Sequence, residues 1–250
     1  MGRKITYILF LFTLSLNSWS MNADSIFFEG NKFYQENNYE QANLSYKLIL
    51  DEGYLSKELY LNLGNSYFKL DSIPQAILAY EKGLKIAPAN DDLTHNLKQC
   101  NRIIKDKNPI KKSILISELI YSFLGKSPNY WANTSLMLMG FLCILILFYK
   151  ISPELKWQKI NFYSAIVVSL LFLFSVGLAW LSKNRIEDTN YGIMFSPSTK
   201  ILVEPSQNAA AAYLLHEGSK AKIIAENNEW YEISYDKKVG WIKKYHLKKI

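Results

Sequence analysis

The alternation of hydrophobic and polar positions divides the chain into three parts. Between residues 24 and 105, apolar and aromatic residues recur at spacings of three and four, which is typical of amphipathic helices. Two uninterrupted apolar runs follow, at residues 127–149 and 160–182. From residue 191 to 250, short stretches rich in β-branched and aromatic residues alternate with turn residues. The pattern predicts a multidomain chain with a helical domain, two long apolar helices and a small β domain.

The helical part contains an internal repeat with an offset of 34 residues. Residues three and four apart share one face of a helix, so the small and aromatic positions of each copy lie together in a helical hairpin. We expect copies at residues 24–56 and 57–90, then a polar capping helix to residue 105 whose N-cap is Asn90 or Asp91. The repeat-defining positions are Gly30, Phe33, Ala42, Tyr46, Tyr60, Leu63, Gly64, Tyr67, Ala76, Tyr80, Gly83 and Pro88.

The second copy, LYLNLGNSYFKLDSIPQAILAYEKGLKIAP, resembles the tetratricopeptide repeat. In the first copy, Glu29 replaces the usual leucine and Tyr54 the usual proline. The resemblance implies an α-helical solenoid that binds peptides along its concave face. It places Phe27, Asn31, Tyr34, Leu61, Asn65, Phe68 and Lys69 in the groove. For each aromatic residue in this set, packing inside the helical domain is the alternative role.

Some members of that family hold a C-terminal carboxylate with lysines and asparagines. Asn31 and Asn62 fit this pattern. Phe27 stands where the clamp needs lysine, and Asp92 occupies a second clamp position. We therefore expect no carboxylate clamp in this chain.

Each apolar run has 23 residues without a charge, enough to cross about 30 Å of hydrocarbon as a helix. Tryptophan and tyrosine residues lie at or near both ends of the runs, as expected at membrane interfaces. The runs predict transmembrane helices at 127–149 and 160–182, joined by a loop at 150–159; buried helices of a globular domain are the alternative. With no ionisable residue inside either run, an ion path is not expected.

Residues 1–20 have the basic start and short apolar core of an export signal, with cleavage expected after Ser20 or Ala23. An uncleaved membrane anchor is the alternative. The loop at 150–159 and both outer flanks carry three basic residues each, so lysine and arginine counts do not decide the orientation. The export signal decides it: we expect the loop to be cytoplasmic, and the helical and β domains to be periplasmic.

The linker at residues 106–126 has an apolar stripe at helical spacing. We expect an amphipathic helix that lies on the membrane surface or packs against the helical domain. The stripe consists of Ile116, Leu119, Ile120, Phe123 and Leu124.

Residues 191–250 resemble bacterial SH3-like domains, which implies a small barrel of about five strands. The similar features are Pro205 after a strand, the turn at 215–218, Trp230 beside Tyr231, and the Gly-Trp-Ile stretch at 240–242. The resemblance implies binding of peptides or of cell-wall glycopeptide. For Trp230 and Trp241, a packing role is favoured over ligand contact.

Composition and motifs narrow the function further. The net charge of +7 makes anionic partners possible, but lysines also serve solubility and membrane edges, and that explanation is favoured. Two cysteines and three dispersed histidines give neither a disulfide framework nor a metal signature. No nucleophile motif or phosphate-binding glycine loop is present, so we expect neither an enzyme nor a cofactor. Nucleic acid is not an expected partner outside the cytoplasm.

The order of export signal, repeats, two spans and SH3-like domain resembles the E-type proteins of the bacterial Bat (aerotolerance) group. The resemblance implies an inner-membrane protein that associates with other Bat proteins, some with von Willebrand A-type domains, in envelope integrity or oxygen tolerance. We therefore expect a scaffold that binds partner proteins through its repeats, in contact with membrane lipid and with peptidoglycan as a further ligand. The alternatives are a cell-wall-binding sensor and an accessory regulator of a von Willebrand A-type or ATPase complex.

Overall fold

The computed structural model describes residues 21–107 and 125–250. The predicted export signal at 1–20 and the apolar stripe of the linker lie outside these residues. In the described parts, a helical domain comes first, a long helical hairpin follows, and a β domain ends the chain. The helices are α1 Met21–Gln35, α2 Tyr39–Asp51, α3 Lys57–Lys69, α4 Ile73–Ile86, α5 Asp91–Ile103, α6 Pro128–Ile151 and α7 Leu155–Glu187.

Short polar side chains define where the helices of the first domain begin. The hydroxyl of Ser56 accepts a hydrogen bond from the Leu59 main-chain nitrogen at 3.1 Å. The side chain of Asn90 accepts one from the Leu93 nitrogen at 2.9 Å, so Asn90 is the N-cap of α5. Such caps satisfy main-chain donors that a helix leaves open at its first turn. The helix boundaries therefore follow from local sequence.

The hairpins α1–α2 and α3–α4 are built in the same way. A Cβ atom at Gly30 would lie 2.7 Å from the Tyr46 ring, and one at Gly64 would overlap the Tyr80 ring. Both rings are almost completely buried, so glycine is required where each ring crosses the preceding helix. The helical domain is thus consistent with the repeat expected from the sequence.

Helices α6 and α7 form an antiparallel hairpin. The hydroxyls of Ser135 and Ser175 are 2.7 Å apart between the two helices. Most of the apolar side chains face outward; Met137, for example, is 77% exposed. Both helices have the length and hydropathy of membrane spans.

The turn between the two long helices is shorter than the predicted loop at 150–159. Only residues 152–154 are not helical, since α6 continues to Ile151 and α7 begins at Leu155. Pro153 interrupts the helix, and the Gln158 side chain donates a hydrogen bond to the Ser152 main-chain oxygen at 2.9 Å. Since α7 begins at Leu155, the lysines at 156 and 159 lie on this helix and not in the turn.

The β domain is one antiparallel sheet of seven strands in the order β3-β2-β6-β5-β4-β1-β7. About five strands were expected; β1 and β7, of four and three residues, pair with each other. Asp236 and Lys237 both have positive φ and form the two-residue turn between β5 and β6. The strands are β1 Tyr191–Met194, β2 Ser198–Leu202, β3 Ala211–His216, β4 Lys220–Asn227, β5 Trp230–Tyr235, β6 Lys238–Lys243 and β7 Leu247–Lys249, and a 3₁₀ turn occupies Lys244–His246.

The β domain packs against α4 and the end of α5. Ile193 and Ile250 join a buried cluster with Ile77 and Ile104 of the helical domain. Gly218 has a φ of +79°, and a Cβ there would lie 2.5 Å from the Ile104 side chain. The two domains therefore share a hydrophobic core.

Polar contacts surround this shared core. The carboxylate of Asp106 accepts hydrogen bonds from the His216 main-chain nitrogen at 2.7 Å and from the Ser219 hydroxyl at 3.2 Å. Burial alone would raise the pKa of Asp106, but these bonds and the His216 ring outweigh burial and lower the pKa. A second contact joins Lys220 to Glu81 at 2.6 Å. The docked arrangement thus favours the charged form of Asp106.

Lys85 connects the end of α7 to both domains through hydrogen bonds. Its ammonium group donates hydrogen bonds to the main-chain oxygens of Asp188 and, at 2.7 Å, of Ile250. Arg185 of α7 in turn donates to the Lys85 main-chain oxygen at 2.8 Å. Both domains therefore lie at the same end of the α6–α7 hairpin, opposite the turn at 152–154.

Candidate binding sites

A row of asparagines crosses the helical domain, held by the two buried tyrosines. The hydroxyl of Tyr46 and the amide nitrogen of Asn62 both donate to the side-chain oxygen of Asn31, each at 2.8 Å. The same arrangement recurs one repeat later on Asn65. There, the donors are Tyr80 and Asn96, again at 2.8 Å. We call Asn31, Asn62, Asn65 and Asn96 the asparagine row.

These hydrogen bonds fix which groups the row can offer a ligand. The oxygens of Asn31 and Asn65 already accept two bonds each, so these side chains present N–H donors. Asn62 and Asn96 use their nitrogens toward Asn31 and Asn65, so they present their oxygens as acceptors. The row thereby displays both donors and acceptors, which is what an extended main chain requires.

Burial keeps the two anchoring tyrosines protonated. Burial raises the pKa of Tyr46 to about 12, although the hydrogen bond from Asn62 opposes the shift. Burial likewise raises the pKa of Tyr80, and the hydrogen bond from Asn96 again opposes the shift. Both phenols consequently remain hydrogen-bond donors through the physiological pH range, and the row keeps its polarity.

An open pocket of about 270 Å³ lies beside the second unit of the row. We call it the groove pocket. Lys69 supplies its charge, and the lining contains no carboxylate. Aromatic walls, amide groups and one lysine suit an extended peptide that carries an acidic residue. The lining residues are Tyr34, Asn65, Phe68, Lys69, Tyr80, Asn96 and Gln99.

The structure places the seven groove residues expected from the sequence in different surroundings. Four of them, Tyr34, Asn65, Phe68 and Lys69, line the groove pocket, and Asn31 belongs to the row.

The other two contact the packed interior. The ring of Phe27 lies 5.9 Å from that of Tyr46, and Phe27 lines a separate cavity with Ile49 and Leu59. Leu61 packs against the cluster that contains Ile77. Ligand contact by the seven residues stays a prediction.

Three lining residues were not among the expected groove residues: Tyr80, Asn96 and Gln99. The sequence analysis assigns Tyr80 to packing and treats α5 as a polar cap. A signal for Asn96 is nevertheless present, since it follows Asn62 by the repeat offset of 34. Sequence analysis of helices relies on the period of their apolar positions. A polar residue such as Asn96 does not contribute to that period, so it is easily interpreted as solvated surface.

The β domain carries a second, larger cleft of about 480 Å³. Thr199 lines it and is 9% exposed. Within the described parts of the chain, the Thr199 hydroxyl has no hydrogen-bond partner. A buried hydroxyl without a partner costs free energy, so a ligand that bonds to it gains affinity. We call this cleft the β cleft.

Aromatic and basic groups form one wall of the β cleft. The Lys243 ammonium lies 5.7 Å from the Trp230 ring centre and 5.9 Å from that of Tyr245. Burial, and then the charge of Lys243, lower the pKa of His246, whose ring contacts the Ser196 hydroxyl at 2.5 Å. Trp230 thus lies on the cleft wall, whereas Trp241 is half-buried outside the cleft lining.

The described residues contain no group of three histidine, cysteine or carboxylate side chains placed to hold a metal ion. Cys100 is buried in the helical domain, and burial raises the pKa of its thiol to about 12. The thiol is therefore held in its unreactive, protonated form.

The sheet of short antiparallel strands, with a 3₁₀ turn before the last strand, defines a domain of the SH3-like class. Residues 197–249 match the family model of the bacterial SH3 domain. This confirms the SH3-like domain predicted from the sequence, and it indicates a role in protein interaction or cell-wall binding. No curated protein matches the chain.

Proposed function

We propose that this protein is a non-enzymatic scaffold of the inner membrane whose helical domain, of the tetratricopeptide type, binds an extended segment of a partner protein. The observation that carries the proposal is the asparagine row beside the open groove pocket. The row repeats one hydrogen-bonding unit at the spacing of the helical repeat. A repeated unit of this kind suits a ligand that is itself regular, such as the main chain of a peptide.

Lys69 gives the partner segment a chemical preference. It is exposed at the groove pocket, which contains no carboxylate among its lining residues. An acidic partner residue would be attracted there, and an additional basic residue would be repelled. The resemblance to the Bat group supplies the class of partner: other membrane proteins of that group, including those with von Willebrand A-type domains.

We expect that removing the groove's polar groups weakens peptide binding about tenfold, because each lost hydrogen bond contributes roughly 0.5–1.5 kcal/mol. The variant combines Asn96→Leu with Lys69→Gln. The full chain in neutral detergent is applied to an array of short peptides with acidic and neutral sequences, and affinities are then measured for the peptides retained.

The matched control makes the same two changes on residues that do not line the groove pocket, Asn208→Leu with Lys98→Gln. It should bind like the unaltered chain. Equal losses in the two variants, or no loss in the groove variant, would contradict the groove proposal.

Cell-wall binding through the β cleft is the second candidate function. The unpartnered hydroxyl of Thr199 favours it, since this buried group offers a bond that the described residues do not use. The same full-chain preparation is mixed with purified peptidoglycan and sedimented. Retention should fall in Thr199→Val, which removes the hydroxyl alone, and in Trp230→Ala. If the unaltered chain does not sediment with peptidoglycan, cell-wall binding through the β cleft is ruled out. The proposal of peptide binding in the groove pocket is not affected by that result.

The proposed orientation places both domains in the periplasm and the turn at 152–154 in the cytoplasm. Its support is the export-signal pattern together with the Lys85 contacts, which hold both domains at one end of the hairpin. A reporter enzyme that works only in the periplasm should be inactive when fused at Glu154 and active when fused after Ile250. Activity at Glu154, or inactivity after Ile250, overturns this orientation.

A further inference from the structure

A basic cavity lies where the helical domain, the end of α7 and the β domain meet. Its volume is about 270 Å³. Lys82 and Lys85 come from α4, and Lys249 comes from β7. Apolar side chains, among them Ile86 and Ile186, also line it. We call it the junction cavity.

The three lysines of the junction cavity differ in how they are held. Lys85 donates to main-chain oxygens of Asp188 and Ile250, and Lys249 pairs with Glu226 at 3.0 Å. Within the described parts of the chain, no hydrogen bond or ion pair holds Lys82. Burial lowers the pKa of Lys82, and the nearby charge of Lys248 lowers it further. A partly buried ammonium without a counter-charge is destabilised, so an anion bound beside it would be stabilised.

The position of the cavity along α7 indicates which anion reaches it. The uncharged run of α7 ends at Ser182, and Ile186 lies four residues further on, about 6 Å along the helix. The lipid headgroup layer occupies roughly 5–8 Å on each side of the hydrocarbon. Given the membrane insertion proposed above, the cavity therefore opens at the depth of the lipid phosphates.

We propose that the junction cavity binds a phosphate group beside Lys82, and that the phosphate belongs to an anionic membrane lipid. The apolar wall at Ile86 and Ile186 would contact the glycerol and upper acyl carbons of the same molecule. A free phosphate shares the charged part of this chemistry but has nothing to place against the apolar wall. The lipid is thus the ligand that uses both halves of the cavity.

Native mass spectrometry of the full chain in neutral detergent tests the proposal. The chain is titrated in separate experiments with dioleoyl phosphatidylglycerol, with dioleoyl phosphatidylcholine and with inorganic phosphate. We expect one phosphatidylglycerol to be retained at least tenfold more tightly than phosphatidylcholine. A lysine near an anionic lipid contributes a factor of roughly five, so Lys82→Gln should weaken retention about fivefold and Lys82→Gln with Lys248→Gln about twenty-five-fold.

The matched control removes the same charge at the turn between β5 and β6, with Lys237→Gln and Lys238→Gln, and should retain phosphatidylglycerol like the unaltered chain.

Inorganic phosphate that binds as tightly and responds to the same variants would support the phosphate site and assign it to a free phosphate. Equal retention of the two lipids, or equal losses in the test and control variants, overturns the site. Peptide binding in the groove pocket is measured separately, so failure here leaves the proposed function standing.

Discussion

Replacing Tyr80 with alanine is expected to lower the free energy of unfolding of the helical domain by about 3–5 kcal/mol, the range for a buried aromatic side chain. Tyr80 is 1% exposed, and its ring fills the space that Gly64 leaves open. Its hydroxyl also holds Asn65 in the asparagine row. The change therefore removes a packed ring and one anchor of the row together.

Tyr80→Phe is the matched variant, because it keeps the ring and removes only the hydroxyl. It should cost about 1 kcal/mol, the net contribution of one hydrogen bond. The free energies are read from native-state hydrogen exchange of the α3 and α4 amides in the full chain in detergent. If Tyr80→Ala lowers the free energy of unfolding no more than Tyr80→Phe does, the ring does not stabilise the packing of α3 against α4.

Gly218→Ala is expected to lower the free energy of unfolding of the docked β domain by about 2–5 kcal/mol. A residue with a side chain pays roughly 1–2 kcal/mol for a left-handed backbone, and overpacking adds about 1–3 kcal/mol. Both effects apply at Gly218, because its φ is +79° and an added Cβ would lie 2.5 Å from the Ile104 side chain. Hydrogen exchange of the β1 and α4 amides should accelerate together, since these elements face each other across the interface.

Gly53→Ala separates the two effects. Gly53 has a φ of +85°, and nothing lies within 4 Å of a Cβ placed there, so only the backbone cost applies. Combining Gly218→Ala with Ile104→Ala should cost less than the sum of the two single changes, because the smaller side chain at position 104 removes the overlap. If Gly53→Ala and Gly218→Ala have equal effects, or if the double variant is simply additive, the steric explanation is wrong.

The sequence predicted those features whose signal is local and periodic. The repeat offset predicted that the small and aromatic positions of each copy lie together, and the structure packs Tyr46 on Gly30 and Tyr80 on Gly64. The two apolar helices and the SH3-like domain were likewise predictable from composition and motif. The short strands β1 and β7 were not, since three or four residues are too few to show an alternation.

The contacts between the helical domain and the β domain produce no periodic pattern in the sequence. Lys220 and Glu81 are 139 residues apart, and His216 and Asp106 are 110 apart. In the sequence, each of these residues is an ordinary polar residue, and only the fold brings them together. The groove pocket is intermediate: Asn65 and Lys69 were expected from the family resemblance, whereas Asn96 contributes through a hydrogen bond that depends on the placement of α5.

Helix α7 runs without interruption from the turn at 152–154 to the Lys85 contacts. Its 33 residues rise about 50 Å, and an unbroken α-helix of that length behaves as a stiff rod. Because Lys85 and Arg185 fasten its end to the docked domains, a tilt or rotation of the hairpin would swing the groove pocket and the β cleft with it. The direction in which the groove pocket and the β cleft open is therefore coupled to the tilt of the α6–α7 hairpin.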